Sequence, residues 1–124
     1  MIPFGTVMVT LIHRMEIVED GKTHVRYERY LLKGCSWRRK SAWQQFDTEK
    51  TRTDEITCRI PADQRRPNAG DYLFLGEIND TITGTRELQA AMRAHRNTGA
   101  MQITSVADNT GSGVPMPHYA AWGA

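Results

Sequence analysis

With 124 residues, the chain has room for one domain and not for two of ordinary size, so residues 1–124 are read as a single domain. Hydrophobic residues make up 40% and charged residues 24%, a globular balance that excludes collagen-like and wholly disordered chains. Sixteen Lys and Arg against fourteen Asp and Glu leave a net charge of +2, too weak a field to mark a nucleic-acid binder by itself.

Apolar runs such as Tyr72 to Leu75 are far shorter than a bilayer span, so no membrane segment is expected. The stretch from Met1 to Val9 has no basic segment ahead of a long apolar one, and synthesis in a cytoplasm without a secretory leader is the expectation. Cys35 and Cys58 are too few for a disulfide framework and too far apart in sequence for a zinc knuckle, so they read as buried thiols. Charge is uneven along the chain. Residues 1–40 carry eight basic and four acidic groups and residues 41–80 carry five and eight, an asymmetry that suits head-to-tail contacts between copies or an ordinary solvated surface.

The chain opens with a strand over Thr6 to Arg14, where Val7, Val9 and Leu11 alternate with Met8, Thr10 and Ile12. Apolar groups on both faces place this strand between layers or inside a barrel. Glu19-Asp20-Gly21-Lys22 supplies a hairpin turn, and His24 to Leu32 returns as the second strand. Gly34 predicts a bulge or bend before the strand continues to Lys40.

Ser41 to Thr53 is polar and lacks sustained periodicity, so it reads as a long loop, either mobile or reaching toward a neighbour. Glu55 to Ile60 alternates again and ends at Pro61, and a connector holding Arg65, Arg66, Pro67 and Asn68 leads to a short apolar strand over Asp71 to Gly76. From Thr85 to Arg96 the period becomes helical, with Leu88, Ala91, Met92 and His95 on one face and Arg86, Gln89, Arg93 and Arg96 on the other. Thr83 or Thr85 is the expected cap, and Asn97 with Gly99 the expected stop. Met101 to Val106 and His118 to Trp122 are the last two strands. The fold class is therefore mainly β, a small β-barrel or sandwich of five or six strands with one amphipathic helix near residues 85–96.

Few segments carry the marks of catalytic or ligand chemistry. Gly70 to Gly76 lacks the Lys of a phosphate loop, and Gly111-Ser112-Gly113 lacks the strand-to-helix setting of a nucleophile elbow. His13 with His24, and Asp108 with His118, are the pairings a surface metal site would draw on, but no short ligand spacing links them. His95 on the apolar helix face reads as a satisfied core histidine. No catalytic, cofactor-binding or metal-ligating residue is assigned, and the chain is not expected to be an enzyme. Arg26, Tyr27, Arg29, Tyr30, Trp37, Arg38, Arg39 and Lys40 crowd the second strand as nucleic-acid-binding barrels do. Alternation, however, splits Tyr27 and Arg29 from Tyr30, and Trp37 also fits a packing role.

Taken in order, several segments resemble a family. Tyr30-Leu31-Leu32-Lys33-Gly34-Cys35-Ser36-Trp37, Ile60-Pro61, Gly70-Asp71-Tyr72, Gly76-Glu77, Ser105-Val106-Ala107-Asp108-Asn109, Pro117-His118-Tyr119 and Trp122-Gly123 look like small proteins encoded among the structural genes of tailed phages and prophages of gut Firmicutes. Cys35 stands where Val is usual in those relatives and Tyr119 where Trp is usual, both core-type replacements.

The resemblance implies a non-enzymatic virion protein of the head-to-tail connection, most simply a ring-forming head-closure (stopper or neck) subunit without cofactor. A tail-terminator or tail-completion ring subunit and a stand-alone nucleic-acid-binding barrel are the alternatives. It further implies as partners other copies in a homo-oligomeric ring, portal or adaptor proteins, tail-completion proteins and passing double-stranded DNA held non-specifically, with the virion's head–tail junction as location. On that reading Trp43, Gln44, Gln45, Phe46, Lys50 and Arg52 face the channel or a neighbouring ring. Arg65, Arg66, Arg86, Arg93, Arg96, His118, Tyr119 and Trp122 are the expected subunit contacts.

Overall fold

The computed structural model of the chain describes residues 6–46, 49–111, 113 and 116–124, and for 41–46 and 49–54 it describes the backbone alone. Six strands and one helix follow in the order β1 (Val7–Glu19), β2 (Lys22–Phe46), β3 (Glu49–Pro61), β4 (Tyr72–Leu75), α1 (Thr85–Ala94), β5 (Ala100–Asn109) and β6 (His118–Gly123). The strands close into an antiparallel barrel in the spatial order β1-β2-β3-β6-β5-β4. Mainly β with a single helix is the class expected from the period changes along the chain.

The first hairpin is longer than its alternation indicates. Its turn places Asp20 at φ 53° and Gly21 at φ 74°, two successive left-handed residues whose twist matches that of the flanking strands. Asp tolerates that region and Gly enters it freely, which explains why Asp-Gly closes the ribbon. Further on, Val7 pairs with Cys35 but Val9 with Leu32, so β2 carries one residue more than β1 across this stretch. Gly34, at φ 71°, sits in that bulge.

Two apolar clusters hold the domain. Inside the barrel, Val9, Leu11, Leu32, Cys35, Ile56, Cys58, Ile60, Leu73, Met101, Ile103 and Ala121 pack together, with Trp37 and Tyr119 against their edge. Outside it, Ile12 and Phe74 turn to the other face of the same strands and meet Ile78, Ile82, Leu88, Ala91 and Ala100. The helix thus covers one wall of the barrel, and β1 is apolar on both faces because it lies between the two clusters. Thr10, buried on that outer face, donates to Gly76 O at 2.7 Å and accepts from Ile78 N at 3.3 Å, so the crossing segment is tied to β1 without an orphaned hydroxyl.

Helix α1 starts at the expected residue but without the expected cap. Gly84 is the N-cap, and Thr83 instead donates to Glu87 Oε1 at 3.3 Å. It ends at Ala94, with His95 as C-cap, rather than at Arg96. His95 Nε2 donates to Asp80 Oδ1 at 2.9 Å, and the imidazole stands edge-on to Phe74, so His95 is a satisfied, half-buried histidine.

The long polar loop expected over residues 41–53 is a correction. The backbone of 41–46 and 49–53 runs in β2 and β3, paired from Ser41↔Asp54 to Phe46↔Glu49. Over this stretch the backbone ladder joins β2 and β3 beyond the points where either pairs with β1 or β6, and the polar sequence there lacks the period-two pattern that marks a half-buried strand. The side chains of Trp43, Gln44, Gln45, Phe46, Lys50 and Arg52 lie outside the described residues.

Candidate functional site

The strand register gives the molecule its most distinctive surface. Strand β1 pairs with β4 only through Ile12↔Tyr72, and beyond that point His13–Glu19 has no partner but β2. Strand β3 pairs with β6 only up to Ile56↔Gly123, and its first seven residues, Glu49–Glu55, have no partner but β2. At about 3.3 Å per residue each ribbon carries roughly 23 Å of strand beyond the closed barrel. Because antiparallel β2 enters the barrel as an arm of the first ribbon and leaves it as an arm of the second, the ribbons emerge at opposite ends. On the first, Val18 is 70% exposed and Val25 41%, diagonal neighbours on one face.

The barrel mouth at the first ribbon's base is polar and well paired. Asp71 is 3% exposed and lies 2.6 Å through Oδ1 from His13 Nδ1, while its Oδ2 accepts from Asn68 N at 2.9 Å. Tyr30 donates its hydroxyl to Glu28, which holds the phenol above its usual ionisation range, and Arg65 stacks its guanidinium 4.0 Å over the same ring. Arg66 pairs with Asp108 at 3.5 Å and lies 5.9 Å over Tyr119. Asp108 also accepts from the hydroxyl and the backbone N–H of Thr110, and these bonds hold its carboxyl below the usual range.

A groove of about 360 Å³ runs over the wall of the barrel that the helix leaves bare. Its rows follow from the register. Ser36, Arg59 and Ala120 lie abreast on β2, β3 and β6, and Arg38, Thr57 and Trp122 form the next row. His118 and Asn109 close the end. Ala120 is only 4% exposed although it points outward, because Arg59, His118 and Trp122 rise on either side of it. A small floor between tall walls makes the hollow. His118 Nδ1 donates to Met116 O at 2.8 Å, which leaves Nε2 to accept from the Asn109 amide at 3.2 Å. Arg38 and Arg59 bring guanidinium groups to the same wall, beside the Trp122 indole.

The expected contact residues therefore fall in three places and form no single patch. Arg65, Arg66 and Tyr119 gather at the mouth, His118 and Trp122 line the groove, and Arg86, Arg93 and Arg96 are exposed along and just beyond α1. The metal pairings do not form. His13 lies opposite Glu28 and His24 opposite Ile17, while Asn109 rather than Asp108 lies opposite His118. Among the described residues no three His, Cys, Asp or Glu side chains gather as a metal site.

Cys35 and Cys58 are fully buried, and a hydrogen bond between them together with burial pushes the Cys58 thiol far up, so Cys58 stays a protonated thiol. The pairings of Asp71 with His13 and Asp80 with His95 were not legible beforehand, since each joins residues brought together only by strand register or chain crossing.

These features define the class as a small closed antiparallel barrel with one covered wall, one grooved wall and a ribbon at each end. The chain belongs to a family of unknown function, DUF6751, whose model matches residues 5–124. No curated protein and no solved structure matches it.

Proposed function

We propose that this chain is a non-enzymatic structural subunit that assembles with its own copies into a ring, acting in the head-to-tail connection of a virion, most simply as the head-closure ring. One observation supports this above the others: β2 contributes an arm to each of two ribbons that leave the barrel at opposite ends. A two-stranded ribbon is marginal in water and offers unpaired N–H and C=O groups along both edges, so it is a surface that seeks a neighbour. Ribbons at opposite ends give each copy two unlike surfaces, and unlike surfaces make heterologous contacts that close into rings.

The segment resemblance to tailed-phage structural proteins supports the location at the head–tail junction, with portal or adaptor proteins and tail-completion proteins as the stacked partners. Passing double-stranded DNA would then be contacted without sequence preference, for which a modest net charge suffices. The tail-terminator position asks for the same subunit and differs only in its place along the axis.

Mass photometry and negative-stain imaging of the purified chain test the assembly. Ring particles with a central opening are expected, and a Val18→Asp variant should assemble poorly while melting like the parent. A chain that stays monomeric at every concentration, and is absent from purified particles, overturns the proposal.

A further inference from the structure

The open edge of β1 carries a self-complementary pattern. Strand β1 leaves β4 after Ile12↔Tyr72 but stays in register with β2 as far as Glu19↔Lys22, so His13–Glu19 has a free edge. Gly76 N donates to Met8 O at 2.7 Å, one pair before Val9↔Leu75, and this sets the phase: the even-numbered residues of β1 aim their N–H and C=O at β4. Past Ile12 the same phase aims those of Arg14, Glu16 and Val18 into the open, and among the described residues no backbone bond reaches them there. From His13 to Glu19 the edge has no Pro, no Lys and no bulge, the devices that commonly blunt an exposed strand. We propose that it pairs antiparallel with the same edge of a second copy, about a two-fold axis through Met15 that sets Arg14 opposite the partner's Glu16 and Glu16 opposite the partner's Arg14. The inference does not rest on the ring reading, since it uses the β1 edge alone and leaves the β2 edge of that ribbon and the whole second ribbon to other contacts.

Charge selects both the occupant and the register. A two-fold axis across such an edge sets one residue opposite itself, because directly opposed antiparallel residues share a face. Arg14 on the axis meets Arg14, and Glu16 on it meets Glu16, like charges directly opposite. Ile17 on it sets Glu16 against Val18 and Met15 against Glu19, which pairs no charge. With Met15 on the axis both charges meet their opposites. Arg14 and Glu16 already bond at 3.1 Å along β1, so each guanidinium then lies between two carboxylates, one beside it and one across. On the other face Met15 meets Met15, and Ile17 meets His13, whose Nδ1 stays with Asp71. Arg14 and Glu16 are also the residues whose backbone groups face outward, so each opposed pair exchanges both of its hydrogen bonds. About five residues a side make a contact smaller than a standard interface, hence a weak, concentration-dependent one.

Sedimentation velocity and amide hydrogen exchange of the full-length chain from about 10 μM to about 1 mM test it. Association that grows with concentration is expected. Exchange at Arg14 and Glu16 should slow with it, while that at Met15 and Ile17, which bond to β2, stays constant. Arg14→Glu and Glu16→Arg each set like charges opposite and should each weaken self-association about tenfold. Both positions are exposed on the ribbon, so the core is left intact. Mixed in equal amounts, the two variants should associate with each other about as the parent does, because their charges are complementary across the axis though repulsive within each chain. A parent whose Arg14 and Glu16 amides exchange at the same rate at every concentration overturns the proposal, as do mixed variants that stay apart. Tighter association of Glu16→Gln than of the parent puts Glu16 on the axis and overturns it too. Ring particles are read separately by negative-stain imaging, so failure of one reading leaves the other standing.

Discussion

Replacing Gly123 by alanine probes the closure of the barrel. Gly123 lies in β6 opposite Ile56 of β3 and Ile103 of β5, at the point where both neighbouring ladders reach their end. A Cβ built there falls 2.1 Å from Gln102 O, 2.9 Å from Gln102 C and 3.2 Å from Met101 Sδ. The sulfur can yield, since Met repacks easily, but the two backbone atoms cannot move without moving β5.

Overpacking against yielding side chains costs about 1–3 kcal/mol, and here the strand must also part from Gln102, whose N–H donates to Ala124 O at 3.3 Å. That lost bond adds about 1 kcal/mol, for a sum of about 2–4 kcal/mol. For a domain of this size the melting temperature should then fall by about 8–15 °C. Urea denaturation followed by tryptophan fluorescence measures the difference, provided the slope m is unchanged. Gly111→Ala is the matched control, since nothing lies within 4 Å of its added Cβ, and it should stay within about 0.5 kcal/mol of the parent. A Gly123→Ala protein within about 1 kcal/mol of the parent refutes the register that closes β6 between β3 and β5.

Leu88→Ala, at a position 1% exposed beneath the helix, should cost about 2–5 kcal/mol in the same urea assay, while Gln89→Ala on the exposed helix face should change almost nothing. Asp71→Ala leaves His13 and the Asn68 N–H without their acceptor and should cost about 2–3 kcal/mol; full stability of that variant would mean the barrel mouth does not depend on the pair. Stability should also decline on the alkaline side. The native fold keeps the Cys58 proton, whereas an unfolded thiol gives it up near pH 8.5, so the contribution is whole below about pH 8.5 and fades as pH rises past it. Cys58→Ala should flatten that part of a plot of melting midpoint against pH, and an unchanged slope would show that the thiol pair does not contribute.

Local chemistry made much of the fold legible. Asp20-Gly21 demanded its turn, Gly34 its bulge, and Leu88, Ala91 and Met92 their helix, because each signal involves neighbours within one or two turns of chain. Apolar alternation on both faces of β1 already implied a layer on either side, which the interior cluster and the helix supply. The ribbon over residues 41–46 and 49–54 reads as loop in the sequence, since its polar run lacks the period-two alternation that marks a half-buried strand.

The sequence by itself determined which segments extend, where one helix sits and which side chains seek a core, because those preferences are set by sterics and hydration along a few consecutive residues. Tertiary structure decided which strands became neighbours, how far β2 outruns the barrel at each end, and that Arg38, Arg59, His118 and Trp122 share one wall. Those relations join residues up to 84 positions apart, from Arg38 to Trp122, and they arise only when the closing register is fixed by packing of the whole interior.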